Sequence, residues 1–511
     1  MCPSPIHRLA GLPIRRASAL QSNAPLESAI ASFVARPACR AALSTAHRAG
    51  GGALAQAKQR RSIHSSDKKS STIAEYPGPE HPGPCNESNR APLSVLPLGM
   101  IIRSLGTTTV SSSPLLLGPS LRIMALLAHS TNPLLSPDRN PLLRYALKKS
   151  FYAQFCAGET AAEVRESIAR LKRIGFTGVI LGYAREVVLS DQDVRQLDSS
   201  NLGQEAPEAV EREVEPWCRG TLETVRLAEP GDFVALKFTG AGRIALNQLS
   251  HRQPASPYLA QCIDSICRVA HERGVRLLFD AEQDKLQDGI DDWTMEFARK
   301  YNTSPDSATI YGTYQAYKKC TPDVLSRHLS EAQKGGFSLG VKLVRGAYLG
   351  SDPRECFHDT KAETDACYDS LAAGVLTRQW SATLKGTGEF PAAHLVLATH
   401  NAESVQRARA ICDAGGAKSG IAFAQLQGMA DEISCELVEA TQSARKEGGG
   451  ATSVLPTYKY LVWGTTGECM KYLLRRAQEN KDAVQRTRAG RDAMWAELVR
   501  RLKSSLGIVS K

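Results

Sequence analysis

From residue 151 onward the chain alternates apolar runs of strand length with stretches whose apolar residues recur every three or four positions. In 160–174, Val164, Ile168 and Leu171 share one helical face, and 176–183 then reads as a buried strand. Seven similar runs follow, at 233–238, 275–280, 308–312, 338–345, 394–399, 420–425 and 458–463. Most are separated by helix-length segments such as 258–273, 322–334 and 404–413. Eight strands, each followed by a helix, predict an α/β fold: a (β/α)8 TIM-like barrel over 151–484, with an N-terminal helical arm and a C-terminal helix. An open doubly wound sheet satisfies the same periodicity and stays as the alternative.

Between 92 and 130 the sequence is apolar in short runs, broken by prolines, glycines, hydroxyls and Arg103. No stretch of about twenty residues is apolar enough to span a bilayer. The pattern predicts short helices that either cap the barrel or rest on a membrane surface. With the Pro-, Gly- and Ser-rich 67–90 they form a linker and helical arm, 67–150. At the other end, 485–511 reads as a basic amphipathic helix. It has Trp495, Leu498 and Leu502 on one side and Arg500, Arg501 and Lys503 on the other, suited to docking on the barrel or on anionic lipid. The mixed-charge stretch 190–230 reads as an insertion after the first strand, and 384–391 and 446–453 as Gly-containing loops, all expected at the surface.

Charge changes the picture only at the N-terminus. Residues 1–66 hold eight arginines and one lysine against Glu27 alone, which is +8 of the +11 net charge. That Arg-, Ala- and Ser-rich composition predicts a mitochondrial transit peptide, with 59–66 as its processing region. The remaining body is nearly balanced, so no nucleic-acid partner is expected. Thirteen cysteines without a paired Cys-x-x-Cys read as reduced thiols, and no metal site or phosphate loop is predicted.

A barrel places chemistry at the C-terminal ends of its strands, and polar residues gather there. The second predicted strand contains Lys237, the third ends in Asp280, the fourth leads into Gln315, and the fifth carries Lys342 and Arg345 before Gly346-Ala347-Tyr348. The sixth closes on Thr399-His400-Asn401 and the seventh carries Gln425. After the last strand, which contains Tyr460, a helical run carries Arg475, Arg476 and Glu479. Adjacent arginines diverge by about 100° on a helix. Both serve one anion only if that face looks into a pocket; a solvated basic face is the plain alternative. Singly, each of these residues has an ordinary structural reading, and their clustering at successive strand ends points to a site.

Four segments in consistent order carry a resemblance: 151–158 (FYAQFCAG), 342–348 (KLVRGAY), 398–401 (ATHN) and 472–480 (YLLRRAQEN). They resemble the proline dehydrogenase family, mitochondrial flavoenzymes of proline catabolism, in a fungal-type form. The resemblance implies FAD in the barrel and L-proline over the flavin. Hydride would pass from proline C5 to flavin N5, with Δ1-pyrroline-5-carboxylate as product. Arg475 and Arg476 would clamp the substrate carboxylate, with Lys237 a further cation, because a guanidinium pairs with a carboxylate through two parallel hydrogen bonds. Asp280 would neutralise part of that charge. Tyr460 would pack on the proline ring and exclude a ring hydroxyl, favouring proline over hydroxyproline.

For FAD the resemblance implies Gln315, Lys342, Arg345, Gly346, Ala347, Tyr348, Thr399, His400, Asn401, Gln425 and Glu479. Some relatives exchange the residue types at Lys342 and Arg345, so either is a candidate for contact with N5. The implied electron acceptor is a membrane quinone, with the chain peripheral to the inner mitochondrial membrane on its matrix side. A methylenetetrahydrofolate reductase-type flavin barrel and a catalytically inactive interaction barrel are the competing readings.

Overall fold

The structure, a computed structural model, describes residues 91–184, 207–446, 454–479 and 484–507. The predicted transit peptide, the linker 67–90, and the loop segments 190–206 and 447–453 lie outside the described residues, as does the side chain of Glu479.

Nine parallel strands form one sheet: β1 (Cys156–Gly158), β2 (Gly178–Tyr183), β3 (Phe233–Leu236), β4 (Arg276–Phe279), β5 (Ile310–Gln315), β6 (Leu339–Val344), β7 (Ala393–Ala398), β8 (Gly420–Leu426) and β9 (Thr457–Trp463). β2 to β9 pair consecutively, and β9 returns to β2 through six residue pairs from Gly178↔Tyr458 to Tyr183↔Trp463, closing an eight-stranded barrel. The closed register excludes the open sheet. The extra strand β1 sits beside Val462 and Trp463, beyond the residues of β9 that pair with β8. Three residues give no readable periodicity, which is why β1 is absent from the sequence prediction.

The barrel interior is filled by Ile180, Phe233, Leu278, Tyr311, Val396 and Tyr458 with smaller neighbours. Arg276, at the start of β4, lies 3.6 Å over the Phe233 ring and donates to the Tyr458 hydroxyl at 2.8 Å. This packed, arginine-stoppered floor leaves the C-terminal end of the strands as the open end.

Three surface expectations are corrected. Within 190–230, the helix Glu215–Leu227 packs on the barrel with Trp217 and Val225 buried, and Trp217 Nε1 donates to the Lys237 carbonyl at 3.0 Å. This is the helix of the first βα unit, not surface insertion. In 384–391, Leu384 is fully buried and Trp380 packs on Phe390. The C-terminal helix, Val484–Ser505, docks with Met494, Glu497 and Leu498 inward, whereas Trp495 and Leu502 are more than half exposed. Its inward Glu497 accepts from Arg500 and Arg501, and Arg501 also donates to the Leu93 and Leu96 carbonyls. Ion pairing lets a carboxylate face inward where an apolar-row reading expects leucine.

The two longest helices of the N-terminal arm among the described residues are Leu98–Ser112 and Pro114–His129. The first packs along the C-terminal helix. The second presses Met124 and Ala128 onto Met470, Leu473 and Leu474 of the helix Thr466–Glu479, which carries Arg475 and Arg476. That helix is further held by Asp138, whose carboxylate accepts from Gly467 N at 2.9 Å.

Candidate active site

At the open mouth a charge cluster forms around Asp280, one residue past β4. Its Oδ1 accepts from Lys342 Nζ at 2.5 Å, Lys237 Nζ lies 3.7 Å from Oδ2, and the Tyr460 hydroxyl donates to Oδ2 at 3.4 Å. Lys342 comes from β6, Lys237 follows β3, and Tyr460 is in β9, so the barrel register assembles residues 223 positions apart in sequence. Burial alone would raise the Asp280 pKa, but Lys342 and Lys237 outweigh it and hold the group below the usual carboxylate range. Lys237 is the mirror case: burial opposes its charge, yet the Tyr348 hydroxyl and the Asp280 and Glu282 carboxylates hold it above an ordinary lysine.

Burial raises the Tyr460 hydroxyl far above its usual value, so it stays a neutral donor. The backbone makes room for it. A Cβ at Gly182 would fall 2.9 Å from that hydroxyl. Lys342 Nζ lies 5.6 Å from the Tyr460 ring centroid, within cation–π range.

Arg475 and Arg476 solve their divergence through a third residue. Tyr472 stands three and four positions earlier, so both guanidiniums fall on its helical face, 6.0 and 5.7 Å from the ring centroid. Tyr472 in turn shares a small cavity wall with Gly182, Lys237 and Tyr460. Arg476 also acts electrostatically on the Tyr348 and Tyr460 hydroxyls. The paired arginines therefore border the mouth.

The segment after β6 is shaped around Tyr317. Gly346 has φ +138°, and a Cβ there would fall 1.8 Å from Tyr317 Cε1, so only glycine fits. The Tyr317 hydroxyl receives a hydrogen bond from Tyr348 N at 3.2 Å and donates to Gln315 Oε1 at 3.1 Å. Ala347 lies between them, and the Tyr348 hydroxyl donates to the Ala281 carbonyl at 3.3 Å, carrying this segment towards β4. Gln315 itself is buried, and its Nε2 has no partner among the described residues.

Other predicted residues form a separate layer. Arg345 turns towards the flanking helices, donating to Asp365 at 2.8 Å, Thr399 Oγ1 at 2.6 Å and Ser404 Oγ at 2.9 Å, over the Tyr368 ring. Lys342 and Arg345, three residues apart, thus serve different places: the first faces Asp280, the second does not. Asn401 caps the helix Ala402–Asp413 through Ser404 N. His400 Nε2 accepts from Leu426 N at 3.1 Å, which fixes its tautomer with the proton on Nδ1. Gln425 donates to the Thr399 carbonyl and accepts from Ser434.

His400 and Arg476 open on a cavity of about 500 Å³, bounded by the first arm helix, residues 428–433 and the C-terminal helix. A cavity of this size suits a cofactor-sized ligand. Two residues given no role in the sequence prediction border the mouth. Tyr472 could have been found from its spacing to the arginines. Glu282, buried and bonded to Thr239 N and Oγ1, is raised by burial and stands beside Lys237, a role no local pattern signals.

A family model described as proline dehydrogenase matches residues 164–489. The probable mitochondrial proline dehydrogenase of Schizosaccharomyces pombe is 29% identical over 412 residues, covering 71% of this chain and 80% of its own length. A hydroxyproline dehydrogenase of Mus musculus is also 29% identical, over 406 residues, covering 70% and 82%. Among solved structures, proline utilization A from Bdellovibrio bacteriovorus, inactivated by N-propargylglycine, superimposes with a TM-score of 0.53 at 18% identity. That match covers 75% of this chain and 38% of the longer one, a likeness of fold.

Proposed function

The chain belongs to the proline dehydrogenase family of oxidoreductases, and from that premise we propose that it oxidises L-proline to Δ1-pyrroline-5-carboxylate with FAD as its cofactor. The observation that carries this reading is the convergence of Lys237, Lys342, Asp280 and Tyr460 at a barrel mouth bordered by Arg475 and Arg476.

The residues present fit a flavin. Gln315 offers a buried amide donor that no described residue uses, and the cavity beside His400 is cofactor-sized. Gln315, Lys342, Gly346, Ala347, Tyr348, Thr399, His400 and Gln425 would hold the cofactor. Arg345 and Asn401 would fix the segments that carry these groups, and Glu479 stands one turn after Arg475. When bound, FAD supplies the two-electron acceptor for the hydride leaving proline C5.

The chain's own residues bind and orient. Arg475 and Arg476 grip the substrate carboxylate, and Lys237 adds positive charge on its far side. Asp280 keeps that cluster from being an uncompensated set of buried cations. Lys342, tied to Asp280, holds a fixed positive charge at the mouth that would offset negative charge on the reduced cofactor. Tyr460 lies against the substrate ring, with its hydroxyl between Gly182 and Asp280. Because that hydroxyl occupies the place a ring hydroxyl would need, proline is preferred over 4-hydroxyproline. Orientation of this kind is one contribution a protein makes to hydride transfer, beside binding and electrostatics.

A membrane quinone would be the final electron acceptor, with the chain peripheral to the inner mitochondrial membrane on its matrix side. The mitochondrial names of relatives support the compartment. The activity is tested by incubating purified chain with L-proline and a soluble dye acceptor, and trapping the pyrroline product with an aminobenzaldehyde. Product formed in proportion to dye reduced is the expected result. Dye reduction without trapped product would refute the assignment.

A further inference from the structure

Large apolar side chains are distributed unevenly over this molecule. Of thirteen that are exposed among the described residues, nine lie between Leu98 and Tyr145 and three on or just after the C-terminal helix, leaving Leu349 alone for the barrel. A solvent-facing concentration of this kind marks an interaction surface. Its clearest part is the second arm helix, Pro114–His129. Leu115, Ile123 and Leu126 are 85%, 57% and 55% exposed. With Pro119 they recur at spacings of four, four and three, which is one helical face. The opposite face is the one that packs Met124 and Ala128 on the arginine helix.

The charge of the arm selects the partner. Between 91 and 158 the sequence has six basic residues and one acid, Asp138. That carboxylate is bonded inward to Gly467 N. Exposed Arg122 stands beside Ile123. Apolar side chains bordered by basic ones fit the headgroup and acyl boundary of an anionic bilayer. No single helix among the described residues is long and apolar enough to cross a membrane; the two arm helices pass that test only as a pair, bent by 102° at their junction, a geometry that favours lying on the lipid over spanning it. The inner face of the second is also held by the barrel.

We propose that the outer face of the helix Pro114–His129, with the flanking Leu134 and Leu142, is a lipid-binding surface that seats the enzyme in the interface of an anionic membrane. This deepens, and rests on, the peripheral-membrane reading above. The same helix carries lipid on one face and the arginine helix on the other, so the membrane contact stands one helix away from the carboxylate clamp.

The test is co-sedimentation of the purified full-length flavoprotein with vesicles of phosphatidylcholine, with and without phosphatidylglycerol. Each apolar side chain taken into the boundary is worth about tenfold in partitioning. Wild type is expected to sediment with the anionic vesicles, and Leu115→Glu/Ile123→Glu to partition about a hundredfold more weakly. Leu115→Gln alone, a milder change at an exposed site, is expected to lose about tenfold. Wild-type protein left in the supernatant with both vesicle types, or both variants sedimenting like wild type, would overturn the proposal. Proline-dependent reduction of a soluble dye, measured in the same samples, reads the activity separately. Its absence with sedimentation intact would refute the proposed reaction and leave the lipid surface standing.

Discussion

Asp280→Asn keeps the shape of the side chain and an acceptor for Tyr460, and removes the negative charge that lies 2.5 Å from Lys342 and 3.7 Å from Lys237. At an effective dielectric constant of about 20, those two attractions amount to roughly 7 and 4 kcal/mol. Much of this offsets the cost of desolvating the charges, so the net loss on breaking a buried pair is about 3–5 kcal/mol. For a chain of this size each kcal/mol corresponds to about 1–2 °C in Tm, and the variant should melt roughly 5 °C lower at pH 7. The assay is thermal unfolding by circular dichroism of wild type, D280N, K342M and D280N/K342M. Because each single variant leaves an opposite charge stranded, the double variant should recover part of the loss instead of summing it. Additive losses, or a D280N melting point within about 1 °C of wild type, would refute a charge cluster centred on Asp280.

Three further outcomes are expected. Arg475→Met should raise the KM for proline by about 100-fold, the worth of a charge-assisted hydrogen-bond pair, with flavin content unchanged; loss of flavin would move Arg475 to the cofactor. Tyr460→Phe should improve kcat/KM for 4-hydroxyproline relative to proline by about tenfold, and an unchanged ratio would remove the hydroxyl from substrate selection. Burial, opposed by the Gln287 hydrogen bond, pushes Asp291 up to about 7, so the folded chain holds a proton there that the unfolded chain releases near pH 4. Its contribution to stability is therefore present at low pH and lost as pH rises through about 7. Asp291→Asn should leave Tm nearly unchanged at pH 4 and raise it at pH 8; an equal gain at both would contradict the shift.

All eight barrel strands are legible in the sequence because parallel strands covered on both faces are continuous apolar runs. The helix Glu215–Leu227 is hidden because Pro216 and the surrounding acids resemble loop composition, although Pro216 sits in the first turn, where proline is tolerated. The C-terminal helix is read correctly as a helix and turned about its axis, since its buried Glu497 looks like a surface residue until its two arginines are placed. At the mouth, residue types are visible at strand ends, whereas pairing is not. That Lys342 faces Asp280 while Arg345 faces Asp365 and Ser404 follows from the strand ending between them, and no one-dimensional pattern carries that turn. Tyr472 shows the reverse: its spacing to both arginines is present in the sequence, and its meaning appears only once the helix borders the mouth.

The central claim is that this barrel mouth holds a flavin and delivers proline to it. The measurement that tests it most directly is the absorbance spectrum of the purified chain, recorded anaerobically before and after addition of L-proline. An oxidised flavin spectrum that bleaches with L-proline and persists with a reduced nicotinamide in its place is the expected result. Bound flavin that stays oxidised in L-proline would contradict it.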